Sequence, residues 1–174
     1  MWNVLLSAER EVAELEKYHF DTSHSNAALK ALRAQLHSYP NNFLLHYLLA
    51  KLLSMEGPQS GSATLDAARS EAEIAVQLKP TFVAARDLLA LIDLNSNDFS
   101  GAAKQSRDAL HYDPNDRTAV YHLIAALRHS KQLQDQAELK HMVKRLGAME
   151  RKSLQSDTHR KRFRIIEATP PGAK

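Results

Sequence analysis

Hydrophobic residues recur along this chain at spacings of three and four, the period of a helix with one apolar face. The clearest stretch predicts a helix over residues 83–94, a polar turn over 95–98 and a second helix over 99–112. Asp98 stands directly before the second helix, where its carboxylate can accept hydrogen bonds from the free amides of the first turn. The pattern predicts pairs of helices joined by short turns.

The helix pair repeats along the sequence. Equivalent leucines follow one another at intervals of 34, 40 and 34 residues, and equivalent alanines and prolines keep the 40- and 34-residue intervals. These residues are Leu15, Leu49, Leu89 and Leu123, then Ala28, Ala68 and Ala102, and finally Pro40, Pro80 and Pro114. The longer interval contains six extra residues in a Gly-, Pro- and Ser-rich stretch, 56–63, and surface loops tolerate added length. The repeat is therefore regular apart from one enlarged loop.

The repeat divides the chain into four predicted units. Their bounds are about 9–42, 43–82, 83–116 and 117–150. We expect one solenoid domain over residues 1–156, followed by a basic extension and flexible tail over 157–174. Small residues recur because antiparallel helices approach closely only where the facing side chains are small. Ala102 and Ala109 therefore predict buried helix contacts.

The pattern of small and large positions resembles the tetratricopeptide repeat family over about residues 9–146. The positions that match best are Leu49, Ala50, Ala68, Ala75 and Pro80 in the second unit, and Leu89, Ala90, Phe99, Ala102, Ala109 and Pro114 in the third. The resemblance implies an all-α fold, a right-handed α-solenoid of about four helix pairs with a C-terminal capping helix. The chain departs from the family where an aromatic residue is most common, at Val12, His46, Arg86 and Val120.

The resemblance also implies a functional surface, because the first helix of each pair lines a concave groove in this family. We predict a non-enzymatic protein–protein interaction scaffold that binds a partner segment in that groove. The groove positions are Lys17, Tyr47, Lys51, Asp87, Leu91, Asn95, Tyr121 and Arg128. Tyr47 and Tyr121 either bind the partner, as large residues that can form hydrogen bonds, or pack between repeats. Lys51 and Arg128 either receive an acidic group or simply face solvent.

The residues offer little support for a metal site, a cofactor site or a catalytic site. The chain has no cysteine, and its closest histidines lack the spacing of metal ligands. We instead expect His46 and His122 to pack and form hydrogen bonds at repeat junctions. No Gly-rich phosphate loop or nucleophile elbow appears, so we expect no enzyme activity, no metal and no cofactor. The family's clamp for peptide C-termini is also missing, because its polar positions are occupied by Ala13, Leu48 and Ala84.

The C-terminal segment combines an apolar stripe with a basic region. The stripe would cover the open end of the stack and consists of Leu139, Met142, Val143, Leu146 and Met149. The basic region, 151–166, has three interpretations: an extension of the capping helix, a patch for nucleic acid or an anionic membrane, or a docking motif for another protein. The alternative function is therefore a nucleic-acid- or membrane-associated regulatory protein that uses residues 151–166.

The N-terminal residues leave location and assembly open. No apolar run is long enough for a transmembrane helix, and no basic residue precedes the short apolar run of Val4, Leu5 and Leu6. A cytoplasmic location is the default expectation, unless the chain is a fragment of a longer exported protein. The apolar residues near Met1 pack under the first helix, mediate self-association through the N-terminal helix, or contact further repeats.

Overall fold

The computed structural model describes residues 22–55 and 62–168, and these residues form seven α-helices and no β-strand. The helices are α1 (Thr22–Ser38), α2 (Phe43–Met55), α3 (Ser62–Leu78), α4 (Val83–Asn95), α5 (Phe99–Tyr112), α6 (Arg117–Leu127) and α7 (Leu133–Ala168). Each helix packs on the next along the chain, and α4 also contacts both α2 and α6. This layout, in which the first helices of successive pairs lie side by side, is that of an all-α solenoid.

The fold class and the helices predicted over 83–94 and 99–112 are confirmed, with α4 one residue longer than expected. Helices α2 and α3 form one pair, α4 and α5 the next, and α6 pairs with the first part of α7. Helix α1 lies in the first predicted unit, whose first helix falls outside the described residues, as do Lys17 and loop residues 56–61. The domain division at residue 156 stays a prediction.

The turn between α4 and α5 shows how the sequence ends one helix and begins the next. The Asp98 side chain accepts a hydrogen bond from the Gly101 amide at 2.9 Å, so the predicted N-cap is confirmed. Asn97 has a φ of 59°, a conformation that asparagine tolerates better than most residues. A Cβ atom on Gly101 would lie 2.7 Å from Asp93 Oδ2, so glycine allows this close approach.

The core consists of small residues where two helices touch and of larger apolar residues that fill the space between helices. Ala68, Ala102 and Ala109 have no exposed surface, and the equivalent Ala28 is also buried. Leu89 and Leu123, which mark the repeat, are also buried. One apolar cluster extends from α1 to α4 and a second from α5 to α7. The small positions read from the sequence are therefore structural.

The first half of helix α7 covers the end of the stack. Met142 is buried, and Leu139, Leu146 and Met149 pack on the apolar cluster around α6. Val143 does not belong to this cover, because about half of its surface (49%) is exposed. The helix then continues without a break to Ala168, so its backbone includes the basic region. None of the described helices is both long and apolar enough to cross a membrane.

Candidate partner-binding groove

Three predicted groove residues occupy the same register position, the fifth residue of the first helix in successive pairs. They are Tyr47 in α2, Asp87 in α4 and Tyr121 in α6. Since α4 contacts both α2 and α6, the three residues lie on adjacent helices. Their surroundings nevertheless differ, because a different residue lies next to each of them.

Tyr47 packs at the junction between the second and third pairs. Its ring centroid lies 5.1 Å from that of Phe82, with the rings at 84°, an edge-to-face arrangement. Phe82 directly precedes α4 and makes a second edge contact with Phe43, also at 5.1 Å. Lys51 Nζ lies 5.9 Å from the Tyr47 ring centroid. Tyr47 therefore packs between pairs, and its predicted role in binding a partner stays a prediction.

Asp87 occupies the equivalent place at the junction between the third and fourth pairs, where it meets a second carboxyl. Burial, a hydrogen bond with the Asp116 side chain and the charges of Asp116 and Asp113 together raise the pKa of Asp87 to about 8. Asp116 is the N-cap of α6 and accepts from the Thr118 amide at 2.7 Å. Asp87 is therefore mainly protonated near neutral pH and differs from a surface aspartate.

Tyr121 has the most open environment of the three. Its side chain is 62% exposed, and its ring contact is with the adjacent His122 at 6.1 Å between centroids. The ring contact of Tyr121 is within its own helix, whereas that of Tyr47 is with Phe82 of the following pair. The same residue type at the same register position is thus a packing residue in one pair and a surface residue in another.

The remaining predicted groove residues lie on the same first helices. Leu91 in α4 is 40% exposed, which is high for a leucine within a helix. Asn95 ends α4, Arg128 follows α6, and both are exposed. That these residues act together with Tyr121 in binding stays a prediction.

A polar contact of His46 joins the helices of the second pair to the turn before them. His46 lies between two acceptors: its Nε2 is 2.8 Å from the Pro40 carbonyl oxygen and its Nδ1 is 2.6 Å from Glu71 Oε2. The ring is buried at this junction. The expectation that His46 packs and forms hydrogen bonds at a junction is confirmed.

Arg86 repeats the same contact one pair later. Its Nε donates to the Pro80 carbonyl oxygen at 3.1 Å, and its Nη1 donates to Asp108 Oδ2 at 3.3 Å and Gln105 Oε1 at 3.4 Å. His46 and Arg86 stand at two of the positions where the tetratricopeptide repeat pattern, which the sequence resembles, usually has an aromatic side chain. A donor that reaches the proline carbonyl replaces the aromatic ring in both pairs. The fourth pair has Val120 and Leu139 at the corresponding positions, in one apolar cluster.

His122 meets its expectation only in part. It is buried, and burial lowers the pKa of its imidazole although the charge of Asp116 acts in the opposite direction. Its Nδ1 has no hydrogen-bond partner among the described residues. Among the side chains that the structure describes, no group of three or more His, Asp or Glu residues is placed to hold a metal ion.

A buried ion pair between α3 and α4 was also missed. The Arg69 guanidinium lies 2.5 Å from Asp93 Oδ1, and the Asp93 side chain is 3% exposed. Burial raises the pKa of Asp93 to about 6; Arg69 lowers it, while Asp98 and Glu73 raise it. The available signal was an acidic residue inside the apolar stretch of α4, which required a partner from another helix.

Comparison with known proteins supports the fold alone. No protein family model and no curated protein sequence matches the chain. The solved structure described as "MamA MSR-1 C2" matches with a TM-score of 0.61 at 15% identity, covering 87% of this chain and 94% of the other. A mutant of MamA matches with a TM-score of 0.60 at 16% identity, covering 84% and 93%. The chain therefore has a tetratricopeptide-like helical repeat fold.

Proposed function

We propose that this protein is a non-enzymatic interaction scaffold that binds a segment of a protein partner along the first helices of its repeats. The observation that carries the proposal is the exposure of Tyr121 at a position that the preceding repeats use for packing between pairs. Large aromatic residues that can also form hydrogen bonds are enriched in binding hot spots. The likeness to MamA, a tetratricopeptide-like repeat protein, supports this class of function.

The residues around Tyr121 suggest the chemistry of the contact. Leu91 lies on α4, the helix beside α6, and provides exposed apolar surface one turn beyond Asp87. Arg128 at the end of α6 adds a positive charge. A partner segment with an apolar side chain and a nearby acidic group fits this combination. Tyr47 contributes to the shape of the groove through its packing on Phe82.

The experiment begins with affinity purification and mass spectrometry from the native cell, which identifies partners of the unaltered chain. Binding of each purified partner is then measured with Tyr121→Ala and with Tyr39→Ala as the matched control. Tyr39 is another exposed tyrosine (38%), but it lies in the turn between α1 and α2. We expect Tyr121→Ala to weaken binding at least tenfold and Tyr39→Ala to leave it unchanged. Unchanged binding of every partner by Tyr121→Ala would reject the groove.

A second candidate function uses the basic region. It is favoured by the unbroken course of α7, whose backbone carries residues 151–166 beyond Met149, a residue that packs on the stack. Arg151 and Lys152 are exposed there. Binding of DNA, RNA or anionic vesicles at low salt should then disappear when the chain is truncated after Glu150. No binding by the full chain at low salt would exclude this candidate.

A further inference from the structure

Both ring nitrogens of the buried His46 lie against oxygen atoms. Nε2 is 2.8 Å from the Pro40 carbonyl oxygen, in the turn before α2, and Nδ1 is 2.6 Å from Glu71 Oε2, on α3. A carbonyl oxygen and an ionised carboxylate are both acceptors and have no hydrogen to donate. Since both distances are those of hydrogen bonds, each contact needs a hydrogen on one of its two atoms.

A neutral imidazole cannot supply both hydrogens, because one of its nitrogens carries a hydrogen and the other carries a lone pair. If the hydrogen is on Nδ1, the lone pair of Nε2 faces the Pro40 oxygen. If it is on Nε2, Nδ1 can bond Glu71 only when the Glu71 carboxyl is itself protonated. The two contacts therefore require two hydrogens on His46 and Glu71 together, and an imidazolium beside a carboxylate is the simplest arrangement that provides them.

The third pair forms the equivalent contacts with side chains that do not lose their hydrogens. Arg86 follows His46 by 40 residues, and it donates from Nε to the Pro80 carbonyl oxygen at 3.1 Å and from Nη1 to Gln105 Oε1 at 3.4 Å. Gln105 follows Glu71 by 34 residues, the regular repeat interval. Arginine keeps its charge in proteins and glutamine has no charge to lose. The side chains of His46 and Arg86 are equally shielded, since each is 10% exposed.

The other ionisable groups near α2 do not replace Glu71. Helix α2 packs on α1, α3 and α4. Among the described residues, His46 forms its ion pair with Glu71 and its second hydrogen bond with Pro40. The remaining ionisable side chains of these helices and of the turn are exposed or interact with other residues. The exposed ones are Lys30, Arg33, His37, Tyr39, Asp66 and Glu73, and those with other partners are Tyr47, Lys51, Arg69, Arg86, Asp87 and Asp93.

We propose that His46 and Glu71 make the packing of α2 proton-dependent, whereas Arg86 makes the equivalent contact of α4 permanent. While the two residues hold two protons, both contacts of the ring form. When one proton is lost, one contact lacks its hydrogen and two electron-rich atoms face each other. The stabilisation is therefore present on the acidic side of the titration of the ring and is lost as the pH rises through it. The inference goes beyond the proposed function and does not depend on whether the groove binds a partner.

The test follows the ring nitrogens of His46 by nitrogen NMR in the full chain, together with amide hydrogen exchange of α2 and α5. At acidic pH we expect both nitrogens to carry a hydrogen while α2 is fully protected. As the ring loses one hydrogen, the protection factors of α2, relative to those of α5, should fall about tenfold, which corresponds to the loss of one hydrogen bond.

Two variants should remove this pH dependence while keeping both contacts. His46→Arg copies Arg86, so the relative protection of α2 should stay unchanged between pH 5.5 and pH 8.5. Glu71→Gln copies Gln105. Its amide can donate to Nδ1 of a neutral ring while Nε2 donates to Pro40, so the fall in protection should disappear here as well.

A control variant and the contrary outcomes complete the test. His141→Gln removes an exposed histidine on α7 and should keep the full fall in α2 protection. Asp87 is unchanged in every variant, so its own pH dependence cancels in the comparison. The proposal is overturned if His46 loses a ring hydrogen without any change in α2 protection, or if His46→Arg keeps the same fall. A ring that is already neutral at pH 5.5 while α2 is fully protected would overturn it as well.

Discussion

The junction between the second and third pairs and the junction between the third and fourth use the same register positions for different chemistry. At the first, Tyr47 meets Phe82 edge to face. At the second, Asp87 is partly buried, and its burial together with Asp116 and Asp113 raises its pKa to about 8. The repeat therefore determines where a contact forms, whereas the residue types determine which conditions it responds to. Packing of aromatic rings changes little with pH, whereas the charge of a partly buried carboxyl depends on it.

The largest loss of stability should come from breaking the ion pair of Arg69 and Asp93, which joins α3 to α4. Arg69→Ala leaves Asp93 buried without its cation, so we expect a loss of roughly 3 kcal/mol in the free energy of unfolding at pH 7. The loss should shrink at acidic pH, where Asp93 becomes protonated. Urea unfolding at pH 7 and pH 5 measures both effects. Equal losses at the two pH values would show that the charge of Asp93 is not the cause.

Removing the aromatic ring tests the first junction directly. Tyr47→Ala deletes the ring that packs on Phe82 and on the apolar cluster, and we expect it to lower the free energy of unfolding by about 2 kcal/mol. Tyr47→Phe keeps the ring and serves as the control, with a much smaller loss. A loss that does not change between pH 6 and pH 9 would distinguish this junction from its neighbour.

Replacing Asp87 by asparagine should raise the free energy of unfolding instead of lowering it. Asp87→Asn removes the cost of keeping this carboxyl protonated, so we expect the chain to gain about 1 kcal/mol at pH 7, a figure reduced for solvent screening because Asp87 is only partly buried. The gain should vanish towards pH 4 and be largest near pH 8. Thermal unfolding across this range measures it. A gain that is the same at every pH would contradict the assignment.

The smallest effect on stability should come from Tyr121, the residue equivalent to Tyr47 and Asp87. Because its side chain is 62% exposed, Tyr121→Ala should change the free energy of unfolding by less than about 0.5 kcal/mol. Circular dichroism with thermal melting is sufficient to check this value. A loss as large as that of Tyr47→Ala would mean that Tyr121 is a packing residue, and it would remove the basis of the groove assignment.

Much of the fold could be predicted because it depends on local chemistry and spacing. The helices of the third pair, the Asp98 cap and the buried alanines follow from apolar periodicity, capping preference and the need for small residues at helix contacts. The hydrogen-bond partners of His46 and Arg86 could not be predicted, because they lie on another helix and in the preceding turn. Tyr47 is packed and Tyr121 is exposed because a residue of another pair contacts only the first of them. The residues that neighbour each tyrosine in the sequence do not indicate this difference.

The proton held by Asp87 also makes the measured heat of unfolding depend on the buffer. Near pH 7 the folded chain keeps this proton and the unfolded chain does not, so unfolding releases close to one proton per molecule from this site. The buffer absorbs that proton and contributes its own heat of ionisation. The calorimetric enthalpy of unfolding at one pH should therefore differ between buffers such as phosphate and Tris, and Asp87→Asn should reduce the difference.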